Sequence, residues 1–217
     1  YMESTDYIPS YLDSPERAYF NFEHDEIIGQ PNWKNHRGKP TYQVKSYEKD
    51  YDEGSIGREL GFEEWLTSQA WQALGAYETI CKCRWLDYDG LCWCNLRGGL
   101  NTGTYQKSLV DYEGQPKLAW YTHQMAFQNV LACSGNVDMV YGPDDRLPLI
   151  VMNLGGKKTV DVRVQLFSRD GGTLYEREYR NVCLPEGRSC TSVDELKLPE
   201  TEGICSIVYT VLEKGEQ

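Results

Sequence analysis

The sequence predicts an α+β chain in two parts: the last strand–helix units of a partial (β/α) barrel, then a small Ig-like antiparallel β-sandwich. Three observations predict it. Residues 63–84 place apolar side chains at helical spacing, and after the turn DYDG comes a short, near-continuous apolar run, LCWC. Such a run marks a strand covered on both faces, as in a parallel sheet. A second amphipathic stretch at 118–131 completes the order helix, strand, crossover, helix, which is the tail of an α/β repeat. From residue 136 onward, short segments with period-two alternation are separated by the turn clusters GPDD, NLGGKK, RDGG, PEGR and PETEG, the pattern of a small sandwich. The expected division is therefore 1–133 for the barrel portion and 134–217 for the sandwich.

With 217 residues, 40% of them hydrophobic, the chain can bury one core of ordinary size or two small ones. A net charge of -11 and a pI near 4.8 repel phosphate backbones and anionic bilayers, so neither nucleic acid nor a membrane is expected as a partner. No run approaches the ~20 apolar residues of a membrane span. The opening YMESTDYIPSY has neither a basic n-region nor an apolar h-region. Because the chain starts at Tyr1, it reads as a piece of something longer, with any export signal upstream and a periplasmic or secreted destination.

Sixteen tyrosines and six tryptophans stand against five phenylalanines. Rings that carry a polar handle suit sugars, which stack through C–H faces and hydrogen-bond through hydroxyls; they equally suit the half-buried positions of a β-rich protein. Eight cysteines include the pairs Cys81/Cys83 and Cys92/Cys94. The CxC spacing departs from the CxxC of common zinc sites, and cysteine is among the most often buried residues. The expectation is reduced structural thiols, with no metal and no cofactor.

In chain order, a polar lead-in with Pro9 and Pro15 precedes a strand at 18–26, AYFNFEHDE, which ends in Glu23, His24, Asp25 and Glu26. In a parallel barrel the C-terminal strand ends are where chemistry is placed. A long loop follows, rich in Gly, Pro and Asn, with Trp33, His36 and Arg37 as candidates for a substrate-facing rim or as parts of a plain surface loop. The helix at 63–84 is built on Trp65, Leu66, Ala70, Trp71, Leu74, Tyr77, Ile80 and Cys81, with Glu63 and Glu64 at its positive end. The strand at 91–96 contains Trp93. The glycines after it lack the spacing of a phosphate loop and serve turns. The helix at 118–131 is built on Leu118, Tyr121, Met125 and Val130. Strands are then expected at 136–141, 147–153, 159–168, 173–179, 190–193 and 204–212.

DGLCWCNLRGG, followed by LVDYEGQPKLAWYTHQMAFQNVLA and then by a small sandwich, resembles the end of the catalytic barrel of glycoside hydrolase family two with its following Ig-like domain. The family pattern there is a strand with an internal Trp, a polar loop, and D-Y-x-G-x-P-K-x-x-Y-Y opening the last barrel helix. Trp93 matches the strand Trp; Asp111, Tyr112, Gly114, Pro116, Lys117 and Tyr121 match the second part; Trp120 replaces the first Tyr. The resemblance implies a retaining exo-glycosidase acting on terminal β-linked galactose, mannose, glucuronic acid or glucosamine in an oligosaccharide, β-galactosidase-like as the first expectation.

It also implies a carboxylate nucleophile at the end of the seventh barrel strand and a Glu acid/base at the end of the fourth, ~5–5.5 Å apart in a retaining enzyme. The family nucleophile lies in a pattern like S-E-F-G. Glu26 in HDEIIGQ is the first candidate; Glu59 in RELGF is the alternative. The family's acid/base follows an Asn, and no Asn-Glu pair occurs here. A whole barrel takes ~250 residues, so this chain by itself is expected to be inactive. Trp93, Trp33 and His24 are the substrate-binding candidates, with barrel core as the other reading of Trp93. The alternative to an enzyme fragment is a non-catalytic carbohydrate-binding or structural β-sandwich module. The sequence leaves the oligomeric state open.

Overall fold

The computed structural model describes residues 18, 20–24, 29, 62–93, 96, 108–111, 114–136 and 140–213. The chain divides into two compact units, Tyr1–Ala126 and Phe127–Gln217.

In the first unit the described elements are β1 (Phe20–His24), α1 (Phe62–Trp85), β2 (Gly90–Trp93) and α2 (Leu118–Ala126). Strands β1 and β2 pair in parallel, Phe20 with Gly90, Asn21 with Leu91 and His24 with Trp93. A parallel pair joined through a helix is the βαβ arrangement that the alternation of segments predicts. Gly90 is required by close approach: the Phe20 ring stands where a Cβ would be.

Helix α1 ends in a Schellman motif. Asp87, at φ 62°, occupies the left-handed position that usually holds glycine. Its N–H donates to Arg84 O at 3.1 Å, and Tyr88 N–H donates to Cys83 O at 2.9 Å. The accompanying apolar contact is made by Cys83 and Tyr88, which form a small buried cluster with Leu86 and Leu91 packed on it.

Each helix buries only part of the set that the apolar spacing suggests: Ile80 and Cys81 are buried as expected, and Leu118 packs on the buried cluster of Ala73, Ala76, Leu109 and Ala119. On α1 the buried side chains include Gln69, Gln72, Ala73, Ala76, Ile80 and Cys83, whereas Leu66, Trp71 and Leu74 are exposed. On α2 they are Ala119, His123 and Ala126, whereas Tyr121 and Met125 are each 51% exposed. The physical reason is proximity: Ala73 and Ala76 of α1 and Ala119 of α2 share one buried cluster, where small side chains bring the two helix backbones together. Thr122 Oγ1 closes the contact by donating to Ala73 O at 3.0 Å.

Helix α2 stops at Ala126, five residues short of the expected end at 131, because Val130 and Leu131 open β3 (Val130–Ser134). That strand pairs antiparallel with β4 (Arg146–Asn153), Val130 opposite Asn153, so tertiary pairing overrides the helical pattern. The expected strand at 136–141 is not formed at its described positions, Asn136, Val140 and Tyr141. Strand β2 ends at Trp93, and Leu96, expected in the same strand, lies in a bend.

The second unit comprises β3, β4 (Arg146–Asn153), β5 (Lys158–Ser168), β6 (Thr173–Leu184), β7 (Ser189–Lys197) and β8 (Cys205–Glu213). They form two three-stranded sheets, ordered β3-β4-β7 and β6-β5-β8. Val160, Val162, Val164 and Leu184 of one sheet and Val130, Ala132, Leu147, Leu149, Val151 and Leu196 of the other make one buried core. The unit is thus a sandwich. The alternation read in VDVRVQLF holds residue by residue, with Val160, Val162, Val164 and Leu166 buried and the residues between them half-buried.

Strand β6 runs five residues past its expected end at 179. A bulge allows it: Val160 pairs with Val182 but Val162 with Tyr179, leaving an extra residue on β6. Asn181 absorbs it at φ 58°, its N–H donating to Asp161 Oδ1 at 2.8 Å. The β5–β6 hairpin turns through Gly171 at φ 84°, closed by Ser168 N–H to Gly172 O at 2.8 Å.

Candidate functional site

The C-terminal ends of β1 and β2 lie side by side, with His24 and Trp93 as register partners. In a parallel α/β arrangement that is the end where loops gather. Trp93 is half-buried. It packs with Leu118 and Trp120 on the cluster of Ala73, Ala76, Leu109 and Ala119. The His123 ring stands nearly perpendicular to it, 4.8 Å between centroids and 87° between planes. His123 Nδ1 donates to Ala119 O at 2.7 Å, and burial lowers its pKa against the opposing pull of that bond. The pair fixes the orientation of the indole. His24 is described only as backbone. Glu26, Glu59, Trp33, His36 and Arg37 lie outside the described residues.

Beside this end sits a buried polar group that the sequence presents only as part of the DYEGQPK string. The segment folds as a tight loop, bridged by Val110 and Pro116. Asp111 closes it twice: its N–H donates to Gln115 O at 2.9 Å, and its Oδ1 accepts Gln115 N–H at 2.8 Å. Gly114, at φ 83°, makes the reversal. Lys117 leaves the loop by donating its N–H to Leu109 O at 2.9 Å, and Gln69 Oε1 of α1 then accepts the Leu118 N–H at 3.1 Å, capping α2.

The Lys117 side chain is 1% exposed. Its Nζ donates to Gly29 O at 2.8 Å, across 88 residues of sequence. Loss of solvation lowers its pKa to about 7, with the Asp111 carboxylate acting in the opposite sense. Gly29 is itself buried, and a Cβ there would run into the Gln72 side chain. Gln72, fully buried, reaches Ser108 O at 3.5 Å, while Ser108 Oγ donates to Val110 O at 2.6 Å. Gly29, helix α1 and the loop before α2 are tied at one point. Hydrophobic spacing cannot reveal this group because its members are polar; the one local signal is a lysine just before a helix that starts with apolar residues.

Among the described residues no cluster of His, Cys, Asp and Glu has the arrangement of a metal site, and Cys81, Cys83, Cys92, Cys133, Cys183, Cys190 and Cys205 are free thiols. No described helix is long and apolar enough to cross a membrane.

No family model and no curated protein matches this sequence. Solved structures do. The β-D-mannosidase of Dictyoglomus thermophilum superposes over 94% of this chain and 28% of its own length, with a TM-score of 0.56 and 14% identity. The exo-chitosanase CsxA of Amycolatopsis orientalis, in a complex with PNP-β-D-glucosamine, covers 84% of this chain and 24% of its own, with a TM-score of 0.49 and 13% identity. The chain therefore spans about a quarter of the length of these proteins, and what it shares with the mannosidase, at 14% identity, is the fold of that part.

Proposed function

We propose that this chain is the C-terminal part of a retaining exo-β-glycosidase of the glycoside hydrolase family two kind: the closing strand–helix units of a (β/α) barrel followed by an Ig-like sandwich. The observation that carries the proposal is one of order. A parallel β1–α1–β2 unit, the DYEGQPK loop seated on it, helix α2 and a sandwich follow one another, and this succession superposes over 94% of the chain on part of a β-mannosidase. Two further features support a larger assembly around the first unit. Parallel strands belong almost entirely to sheets with both faces covered, and α1 presents Leu66, Trp71 and Leu74 outward, a face that a neighbouring barrel helix would cover. For the sandwich, the orders β3-β4-β7 and β6-β5-β8 fit strands A-B-E and C′-C-F of an immunoglobulin fold.

In the intact enzyme the carboxylate of Glu26, or of Glu59, attacks the anomeric carbon of a terminal β-linked sugar. The glycosyl-enzyme so formed is opened by water, with proton transfer by an acid/base Glu on a strand outside this chain. Trp93, His24 and Trp33 line the sugar site, Trp93 with the part of its ring that the helices leave open. β-Galactosides are the first substrates to test, with β-mannosides and β-glucosaminides beside them because the solved structures act on or bind such sugars. Export to the periplasm or the medium belongs to the same proposal and is checked by fractionating cells that express the whole gene.

The alternative, a non-catalytic glycan-binding or spacer module, has less behind it. The described outer face of β5 and β6 carries the pairs Arg163–Glu176, Gln165–Glu176 and Arg180–Glu178, an ordinary solvated surface.

The full-length polypeptide should hydrolyse at least one member of a panel of nitrophenyl β-galactoside, β-mannoside, β-glucuronide and β-glucosaminide. This chain by itself should hydrolyse none. A fluorosugar should label a peptide within residues 20–62. Absence of all hydrolysis by the full-length protein, or labelling elsewhere, would overturn the assignment.

A further inference from the structure

An edge strand presents a row of backbone N–H and C=O groups, a template for pairing unless the strand is short, charged, bulged or covered. The sandwich has four such edges: β3 and β7 in one sheet, β6 and β8 in the other. Strand β3 is five residues long. Strand β7 carries Asp194, Glu195 and Lys197, and its pairing with β4 shifts register between Leu149 and Ile150. Strand β6 carries Glu176, Arg177, Glu178 and Arg180 and is bulged near Asn181. Strand β8 has none of these protections. Its nine residues, CSIVYTVLE, hold a charge only at Glu213, and it pairs with β5 from Cys205 to Glu213 with no break in register.

The side chains of β8 agree with its backbone. Ile207, Tyr209 and Val211 pack on the core yet are only half-buried, whereas Val160, Val162 and Val164 of the adjacent β5 are fully buried. On the opposite face, to which alternate residues point, Val208 and Leu212 are 42% and 43% exposed. Among the described residues no strand pairs with the edge of β8 that faces away from β5. A further strand laid along that edge would cover both rows.

We propose that this edge of β8 is a strand-accepting surface, and that in the full-length polypeptide its occupant is the segment following β8, which turns back and pairs antiparallel as the fourth strand of the sheet. Strand order selects this occupant. With β6-β5-β8 as C′-C-F, the position beside F belongs to strand G, the next in sequence, and consecutive strands are usually neighbours in space. The inference rests on the Ig-like part of the reading above and not on its glycosidase chemistry, so an inactive full-length protein leaves it standing.

The test follows hydrogen exchange of residues 205–213 by mass spectrometry in the full-length polypeptide and in a version stopped after Gln217. In an antiparallel ladder the amides of a strand point alternately to its two neighbours, so about half of those in β8 depend on the second one. The full-length protein should slow that half by about 100-fold or more relative to the stopped version. Residues 160–166 should stay protected in both, which reports a folded sandwich. Rapid exchange of that half in the full-length protein would overturn the proposal, whether or not the stopped version folds. Protection that survives in the stopped version would overturn it too, because another element would then cover the edge. So would protection that vanishes on dilution as a dimer dissociates in sedimentation, which would make a second copy the occupant.

Discussion

At the scale of single residues, the most informative positions are polar ones inside the two units. Lys117 has a folded pKa of about 7 against an unfolded value near 10.4. Between those values the unfolded chain binds more protons than the folded one, so this lysine makes stability rise as pH increases from about 7 to about 10, with no contribution to the slope below 7. Urea unfolding of this chain from pH 7 to 10 should show that rise, and Lys117→Met should flatten it. In the sandwich, Asn153 is 0% exposed. Its Nδ2 donates to Pro185 O at 2.8 Å and to Gly156 O at 3.0 Å, and its Oδ1 accepts Gly155 N–H at 3.1 Å. Asn153→Ala removes hydrogen bonds that tie two turns to β4, at residues that are exposed or half-buried, and should cost about 1–2 kcal/mol of stability, read as a lowered urea midpoint at unchanged slope. Neither residue announces itself in the sequence, because a buried polar group is specified by partners far along the chain.

At the scale of elements, the helix and strand periods locate most segments, the strand period of β5 names its buried face, and the helix periods misjudge part of theirs. Helix α1 was legible from residue 63 to 84, yet its outward face carries Trp71 and its inward face Gln69 and Gln72. Close packing of Ala73, Ala76 and Ala119 chose the small face over the large one. The end of α1 depends on a left-handed Asp87, a conformation glycine adopts more easily. Asp87→Gly should therefore stabilise the first unit by about 0.5–1 kcal/mol, measured as a shift of the thermal midpoint. In the sandwich, Tyr179 Oη on β6 donates to Asp194 Oδ2 on β7 at 2.7 Å, linking the two sheets, and Arg177 Nη1 reaches the same oxygen at 2.9 Å. The tyrosine hydrogen bond, more than the arginine charge, lowers the Asp194 pKa. Its contribution is complete above the unfolded value of about 3.9 and is lost as pH falls through the lower folded value. Unfolding midpoints measured from pH 6 down to 2 should fall less steeply in Asp194→Asn than in the wild type.

At the scale of the whole molecule, the sequence by itself determined that an α/β part precedes an antiparallel part, that β5 alternates inward and outward, and that the DYEGQPK string opens a helix. These are local properties: period, turn chemistry and a short motif each act over a few residues, so a reader of the chain can find them. Tertiary structure alone decided the rest. It ended α2 at Ala126 because Val130 gains a partner in β4, lengthened β6 through the bulge at Asn181, and placed the division of units between Ala126 and Phe127. It also brought Lys117 to Gly29 across 88 residues. Pairing, helix approach and buried hydrogen bonding all join groups distant in sequence, and their outcome depends on which partner wins the contact rather than on what any single stretch prefers.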